Sequence, residues 1–161
     1  MVTVFRLQNP KHNNNTLSGQ GALKLGGRWN APGTPLIYTS TSISLAILET
    51  RVHYQGLPVD LHPPMNIVVL ELPEDSVYEF TAYDLPVGWD AVPIEPCSQQ
   101  FLKSWLQPGN RLACSVPSVI NPYERNILIN PLHPDITRVV IEQFNPFVFD
   151  KRLYNELKSA A

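Results

Sequence analysis

Charge is scarce in this sequence. Asp, Glu, Lys and Arg make up 16% of its 161 residues, against roughly 25% in ordinary soluble domains. Because the apolar fraction is near normal, the shortage of charge argues for a folded chain rather than a disordered one. The net charge of −2 supplies no basic field to hold a duplex or an anionic membrane, so direct nucleic-acid binding is not expected. Cysteine is scarcer still. Cys97 and Cys114 stand far apart without metal-ligand spacing, and no N-terminal apolar segment with a cleavage site marks secretion. A cytoplasmic protein with reduced thiols is the expectation. The longest apolar runs, such as "NIVVLELP", are strand-sized and far short of the roughly 18 residues a spanning helix needs, so no membrane association is expected.

Several familiar sites are missing too. His12, His53, His62 and His133 do not recur at ligand spacing, and there is no HExxH or CxxC, which predicts no metal. "GQGALKLGG" is rich in glycine but has neither a GxGxxG pattern nor a Lys-Ser or Lys-Thr after it, which argues against dinucleotide and P-loop folds. A Gly-x-Ser-x-Gly elbow is absent, so a hydrolase triad has no support. No repeat is visible.

Proline is plentiful, with 16 residues spread along the chain. Each removes a backbone donor and ends regular structure nearby, which predicts many short elements and fixed turns. Strands are expected over "VTVFRL", "PLIYTS", "MNIVVLELP", "SVYEF", "CSVPSVI", "RNILIN", "ITRVVIEQF" and "FVFD", on β-branched content and turn punctuation. Helices are expected from Ile43 to Tyr54 behind a Thr41 or Ser42 cap, over "CSQQFLKSWLQ", and over "KRLYNELK". The stretch from Gln8 to Gly26 shows no period and reads as a long loop, of the kind that is often functional. The class is α+β, one compact domain over 1–161, strand-rich with few helices.

Three polar residues interrupt these elements. Glu49 has Leu45, Ala46, Val52 and His53 as its helical neighbours, a largely apolar face. A buried carboxylate there needs a cation or a use, and Arg28, Arg51 and Arg6 are the candidate cations; periodicity alone equally allows a Glu49 that reaches solvent. Arg28 follows two glycines that permit a tight turn and precedes Trp29, which can anchor it. Tyr38 points away from Ile37 on its strand and flanks, with Glu49, one strand-to-helix junction. Two further positions carry weaker signals. Arg6 shares a pleat face with Val2 and Val4, and an inward arginine requires a partner. Ser118 follows a proline and suits either a ligand contact or a turn bond.

The blocks "VFRL", "GGRWNAPGTPLIYTSTSISLAILE", "VPSVINPYERNILINPLHPD" and "FVFDKRL" resemble, in order and spacing, the RES-domain proteins, toxins of the RES–Xre toxin–antitoxin class named for an arginine, a glutamate and a serine. The resemblance spans nearly the whole chain, and its second block is the most specific. It implies a fold similar to the ADP-ribosyltransferase toxins and an NAD+ phosphorylase or NAD+ glycohydrolase that cleaves the nicotinamide–ribose bond and arrests growth. NAD+ would be substrate rather than cofactor, with inorganic phosphate as a co-substrate where phosphate replaces water. Arg28, Tyr38 and Glu49 fall at the family's catalytic positions, and Arg6, Arg28, Tyr38 and Ser118 at its substrate-binding positions. Asn126, Asn130 and His133 match a recurring stretch without an assigned role. An Xre-type antitoxin is the implied protein partner, with the Gln8–Gly26 loop as one contact surface and nucleic acid reached only through it. A homodimer is allowed; nothing in the residues fixes it. Two other readings keep the fold and change the function: an ADP-ribosyltransferase that modifies a protein, and a non-catalytic regulator.

Overall fold

A computed structural model describes residues 1–154 of the chain. Alternating apolar residues pair its strands into one seven-stranded sheet. In chain order these are β1 (Val2–Gln8), β2 (Ile37–Ser40), β3 (Met65–Leu72), β4 (Val77–Glu79), β5 (Ala113–Pro117), β6 (Arg125–Ile129) and β7 (Val140–Phe147). Their order in space is β4-β5-β6-β2-β1-β3-β7. Among the described strands only β4 and β5 run parallel. At the centre, β1 meets β2 through the single pair Phe5↔Ser40, whereas β1 and β3 pair over seven positions from Val2↔Leu72 to Gln8↔Asn66. The ladder thus narrows to one pair where β1 meets β2.

Burial follows the pleat. One face carries Val4, Ile37, Val68, Leu70, Leu72, Ile127 and Ile129, all in one apolar cluster. The other carries two clusters. Trp29, Leu36, Cys114, Val116 and Leu128 pack with Leu102 of helix α3 (Pro96–Trp105). Leu7 and Phe5 pack with Ala46 and Ile47 of helix α2 (Ile43–His53). Leu70 is wholly buried, so Leu70→Ala is expected to cost about 2–5 kcal/mol of stability by chemical unfolding.

Helix α2 starts where a cap was expected. The Ser42 hydroxyl accepts from the Leu45 amide at 3.1 Å, a contact worth ~1 kcal/mol. Helix α3 opens with Pro96 in its first turn, where the missing N–H costs nothing.

Some expectations are corrected. The Gln8–Gly26 stretch holds a 3-10 turn (Pro10–Asn15) and a short helix, α1 (Gln20–Leu25). Neither buries a residue, so no apolar period announces them. Helix α1 ends on Gly26, whose φ of 72° favours glycine. The run "ITRVVIEQF" is split: Pro134–Arg138 forms a 3-10 turn under the His133 side chain, and β7 begins only at Val140. The strand then passes through Pro146, which an edge strand tolerates, so "FVFD" makes no strand of its own beyond Phe147. At the C-terminus Lys151–Leu153 is a 3-10 turn closed by an extended Tyr154, and positions 155–158 of the expected helix lie outside the described residues. Among the described residues no helix is long and apolar enough to cross a membrane.

Candidate active site

Strand β2 carries the site. Its residues alternate, so Tyr38 and Ser40 share the face on which α2 packs, while Ile37 and Thr39 look into the opposite core. Two groups of side chains gather on that face, two residues apart.

The first group is built by the loop after α1. Gly27 bonds the Asn30 carbonyl at 2.9 Å and closes a tight turn around Arg28 and Trp29. Asn30 is only 1% exposed. Its side-chain amide donates to the carbonyls of Ala22 and Thr34, both at 2.8 Å, and its Oδ1 accepts from the Tyr38 hydroxyl at 2.6 Å. That hydroxyl in turn accepts from the Trp29 amide at 3.0 Å. Burial pushes the Tyr38 phenol well above its usual range, opposed only in part by the Trp29 amide, the Asn30 contact and the Arg28 charge. Tyr38 therefore stays protonated and keeps its bond to Asn30. A methyl group on Gly27 would sit 2.7 Å from the Tyr38 hydroxyl oxygen, closer than atoms pack. Gly27→Ala is expected to displace Tyr38 and cost about 1–3 kcal/mol, seen as a lowered thermal midpoint.

Arg28 is held from both ends. Helix α3 holds its backbone, with the Ser98 hydroxyl donating to the Arg28 carbonyl at 2.6 Å and Gln99 to the Gly27 carbonyl at 2.9 Å. The guanidinium donates from Nη1 to the carbonyls of Trp89 and Ala91, each at 2.9 Å. Trp89 also stacks on Trp29, with centroids 5.9 Å apart. Nε and Nη2 have no hydrogen-bond partner among the described residues, so part of the fork is open to an anion.

The second group surrounds Glu49, which is half-buried on α2. Its Oε1 accepts from the Ser118 hydroxyl at 2.8 Å and from the Asn126 amide at 2.6 Å. Ser118 is 1% exposed, and its oxygen accepts from the amides of Ile120 and Asn121 at 3.1 Å. Asn126 faces Ser40 across the β2–β6 pair, and the Ser40 hydroxyl donates to its Oδ1 at 2.8 Å.

No cation pairs with Glu49 among the described residues, and each expected partner is accounted for elsewhere. Arg28 reaches the Trp89 and Ala91 carbonyls. Arg51 bonds the Leu153 carbonyl at 2.8 Å and lies over the Tyr154 ring. Arg6 keeps the pleat face of Val4 and Gln8, as its spacing predicts, which is the side away from the Ser40–Asn126 pair. Its Nη1 donates to the Thr16 carbonyl at a long 3.4 Å, and its buried Nε has no partner among the described residues. Desolvation lowers its pKa to about 10, so it remains a cation at neutral pH. The structure therefore unites Glu49 with Ser118, puts Tyr38 on the same face of β2 as the Ser40 that bonds Asn126, ties Arg28 to the Trp89–Ala91 loop, and leaves Arg6 on the opposite face.

The 3–150 segment matches the model of the RES domain. The chain belongs to the RES domain family. Among RES relatives, it is 40% identical to the "Prs ADP-ribosylating toxin" of a Sphingobium species over 142 residues, covering 85% of this chain and 86% of the relative. It is 36% identical to the "Toxin Res" of Pseudomonas putida, covering 86% of this chain and 92% of the relative. It is 31% identical to the "Toxin Res" of Photorhabdus laumondii, covering 86% and 88%. In fold it is similar to a chain in the crystal structure of the MbcT–MbcA toxin–antitoxin complex of M. tuberculosis. That match has a TM-score of 0.63 and 19% identity, and covers 91% of this chain and 84% of that one.

Sequence reasoning overlooked Asn30 and Ser40 in this RES chain. Both are buried polar residues whose partners lie on other elements, a relation no spacing reveals. Of the three unassigned residues, Asn126 joins Glu49. The other two close turns: Asn130 Oδ1 accepts from the Leu132 amide at 3.0 Å, and His133 Nδ1 from the Asp135 amide at 3.0 Å.

Proposed function

We propose that this RES protein cleaves the nicotinamide–ribose bond of NAD+ and acts in the cytoplasm as the toxin of a toxin–antitoxin pair. One observation carries the reading: Glu49 is a half-buried carboxylate held by neutral donors, with no cation on it among the described residues. A salt bridge would cancel the field of that charge, whereas hydroxyl and amide donors fix it in place and leave it negative. Such a charge suits a reaction that builds positive charge on a sugar. The bond from ribose C1′ to the nicotinamide nitrogen breaks, its electron pair neutralises the pyridinium, and the ribose passes through an oxocarbenium-like state. Nicotinamide leaves neutral, so no general acid is needed.

The other residues take roles that their contacts permit. Arg28 would bind the pyrophosphate, or an attacking phosphate, through the part of its fork not given to Trp89 and Ala91. The Tyr38 hydroxyl is engaged on both sides, so its ring would serve by stacking on nicotinamide. Ser118 acts on substrate through Glu49. Arg6 would shape the site indirectly, by holding the Thr16 carbonyl of the Gln8–Gly26 segment. The fold is read as a variant of the ADP-ribosyltransferase toxins, and an Xre-type antitoxin would block the site; the relatives called toxins and the solved toxin–antitoxin complex support a partner of that kind.

The acceptor is a separate question. With water, a proton is released and ADP-ribose forms; with phosphate, ADP-ribose 1-phosphate forms. A second reading, transfer of ADP-ribose to a protein, is favoured by the relative described as ADP-ribosylating. All three share the bond that breaks. Incubating the purified chain with labelled NAD+, with and without phosphate and with a cell extract, separates them. ADP-ribose 1-phosphate or ADP-ribose supports the proposal, and label appearing only on protein replaces it with the second reading.

A further inference from the structure

Two glutamates make hydrogen bonds around α2, Glu124 at its cap and Glu49 within it, and their patterns differ. Glu124 spends both oxygens: Oε1 accepts from the Ser42 hydroxyl at 2.5 Å and Oε2 from the Asn121 amide at 2.8 Å. It ties the 118–124 turn to the helix cap through both oxygens, with one bond on each. Glu49 is bonded twice on Oε1, and its Oε2 has no partner among the described residues.

Asn126 decides which oxygen is free. It projects from β6 directly opposite Ser40 of β2, so its side chain belongs to the rigid sheet, whereas Glu49 belongs to α2. Its amide can bond Glu49 only with the nitrogen forward, because Oδ1 against a carboxylate would set two acceptors face to face. The Ser40 hydroxyl, 3% exposed, donates to Oδ1 at 2.8 Å and locks that orientation. We propose that Asn126, oriented by Ser40, is a positioning residue that pins Glu49 Oε1 to the sheet and turns Oε2 alone toward the substrate ribose. This rests on the proposed NAD+ chemistry for what Oε2 meets, but the pinning itself does not.

The device predicts a defect confined to the chemical step. Asn126→Asp keeps shape and the Ser40 bond but sets a second carboxylate against Glu49. Its kcat for nicotinamide release should fall about 10- to 100-fold, the range for losing a hydrogen bond to a charged group, with KM for NAD+ within about twofold of the original. Two carboxylates in contact cannot both ionise, so the acidic limb of its kcat–pH profile should move to higher pH. Ser40→Ala should lower kcat by a smaller factor and leave KM alone. A purely structural Asn126 would reduce the folded fraction and move neither the profile nor the kcat of the folded molecules. An Asn126→Asp protein with unchanged kcat and profile overturns the proposal.

The pinning is tested independently of any activity by the side-chain amide signals of Asn126 in a 1H–15N spectrum. They should shift and exchange faster in Glu49→Gln, and shift again in Ser40→Ala. If they do so while the wild-type chain leaves NAD+ intact, the functional reading fails and the pinning stands; signals unmoved by Glu49→Gln defeat the pinning.

Discussion

Glu49→Gln should lower nicotinamide release by roughly 10²–10³-fold or more, the scale on which a single preorganised electrostatic group acts. The substitution keeps the carbonyl that can accept from Ser118 and Asn126, at 2.8 and 2.6 Å in the native chain, and removes the charge. Since no cation depends on Glu49 among the described residues, no buried ion is left stranded, and the thermal midpoint should stay close to that of the native protein. Loss of activity with a preserved fold is therefore the signature. An unfolded Glu49→Gln protein would mean that the network around Oε1 is structural first.

Arg28→Ala should act on binding. Part of the guanidinium holds the Trp89 and Ala91 carbonyls, and the remainder is what the account offers to phosphate oxygens. Its removal should raise KM for NAD+ by about 10- to 100-fold, as expected for a charge-assisted contact, with a smaller effect on kcat. Arg28→Lys should rescue little, because a single ammonium cannot span two carbonyls and an anion. In both variants the amides around Trp89 should exchange faster, since the loop would lose the two carbonyl contacts that tie it to Arg28. An unchanged KM would remove Arg28 from substrate binding.

The elements that could be read from the sequence were those with a strong local period. β1, β3 and β6 alternate visibly, and Ser42 marks the start of α2. The pleat face of Arg6 was also legible, because alternation needs only its neighbours. Where Glu49 stands relative to Arg6 was not, because that depends on which face of the sheet α2 covers, and β1 meets β2 at one pair only. The expected arginine partner for Glu49 followed from the cost of a buried charge, a sound rule that a serine and an asparagine satisfy by hydrogen bonding instead. Ser40 and Asn30 gave no signal, since a buried hydroxyl or amide is identified by its partner across the fold. Helix α1 was invisible for the opposite reason: it buries none of its residues, so nothing selects an apolar stripe.

The most direct test is nicotinamide release from NAD+ by the purified, antitoxin-free chain and by its Glu49→Gln variant, both confirmed as folded. The account predicts stoichiometric release and loss of intact NAD+ with the native chain and near-background release with the variant. Intact NAD+ in the presence of the native protein, or equal release by both proteins, would contradict it.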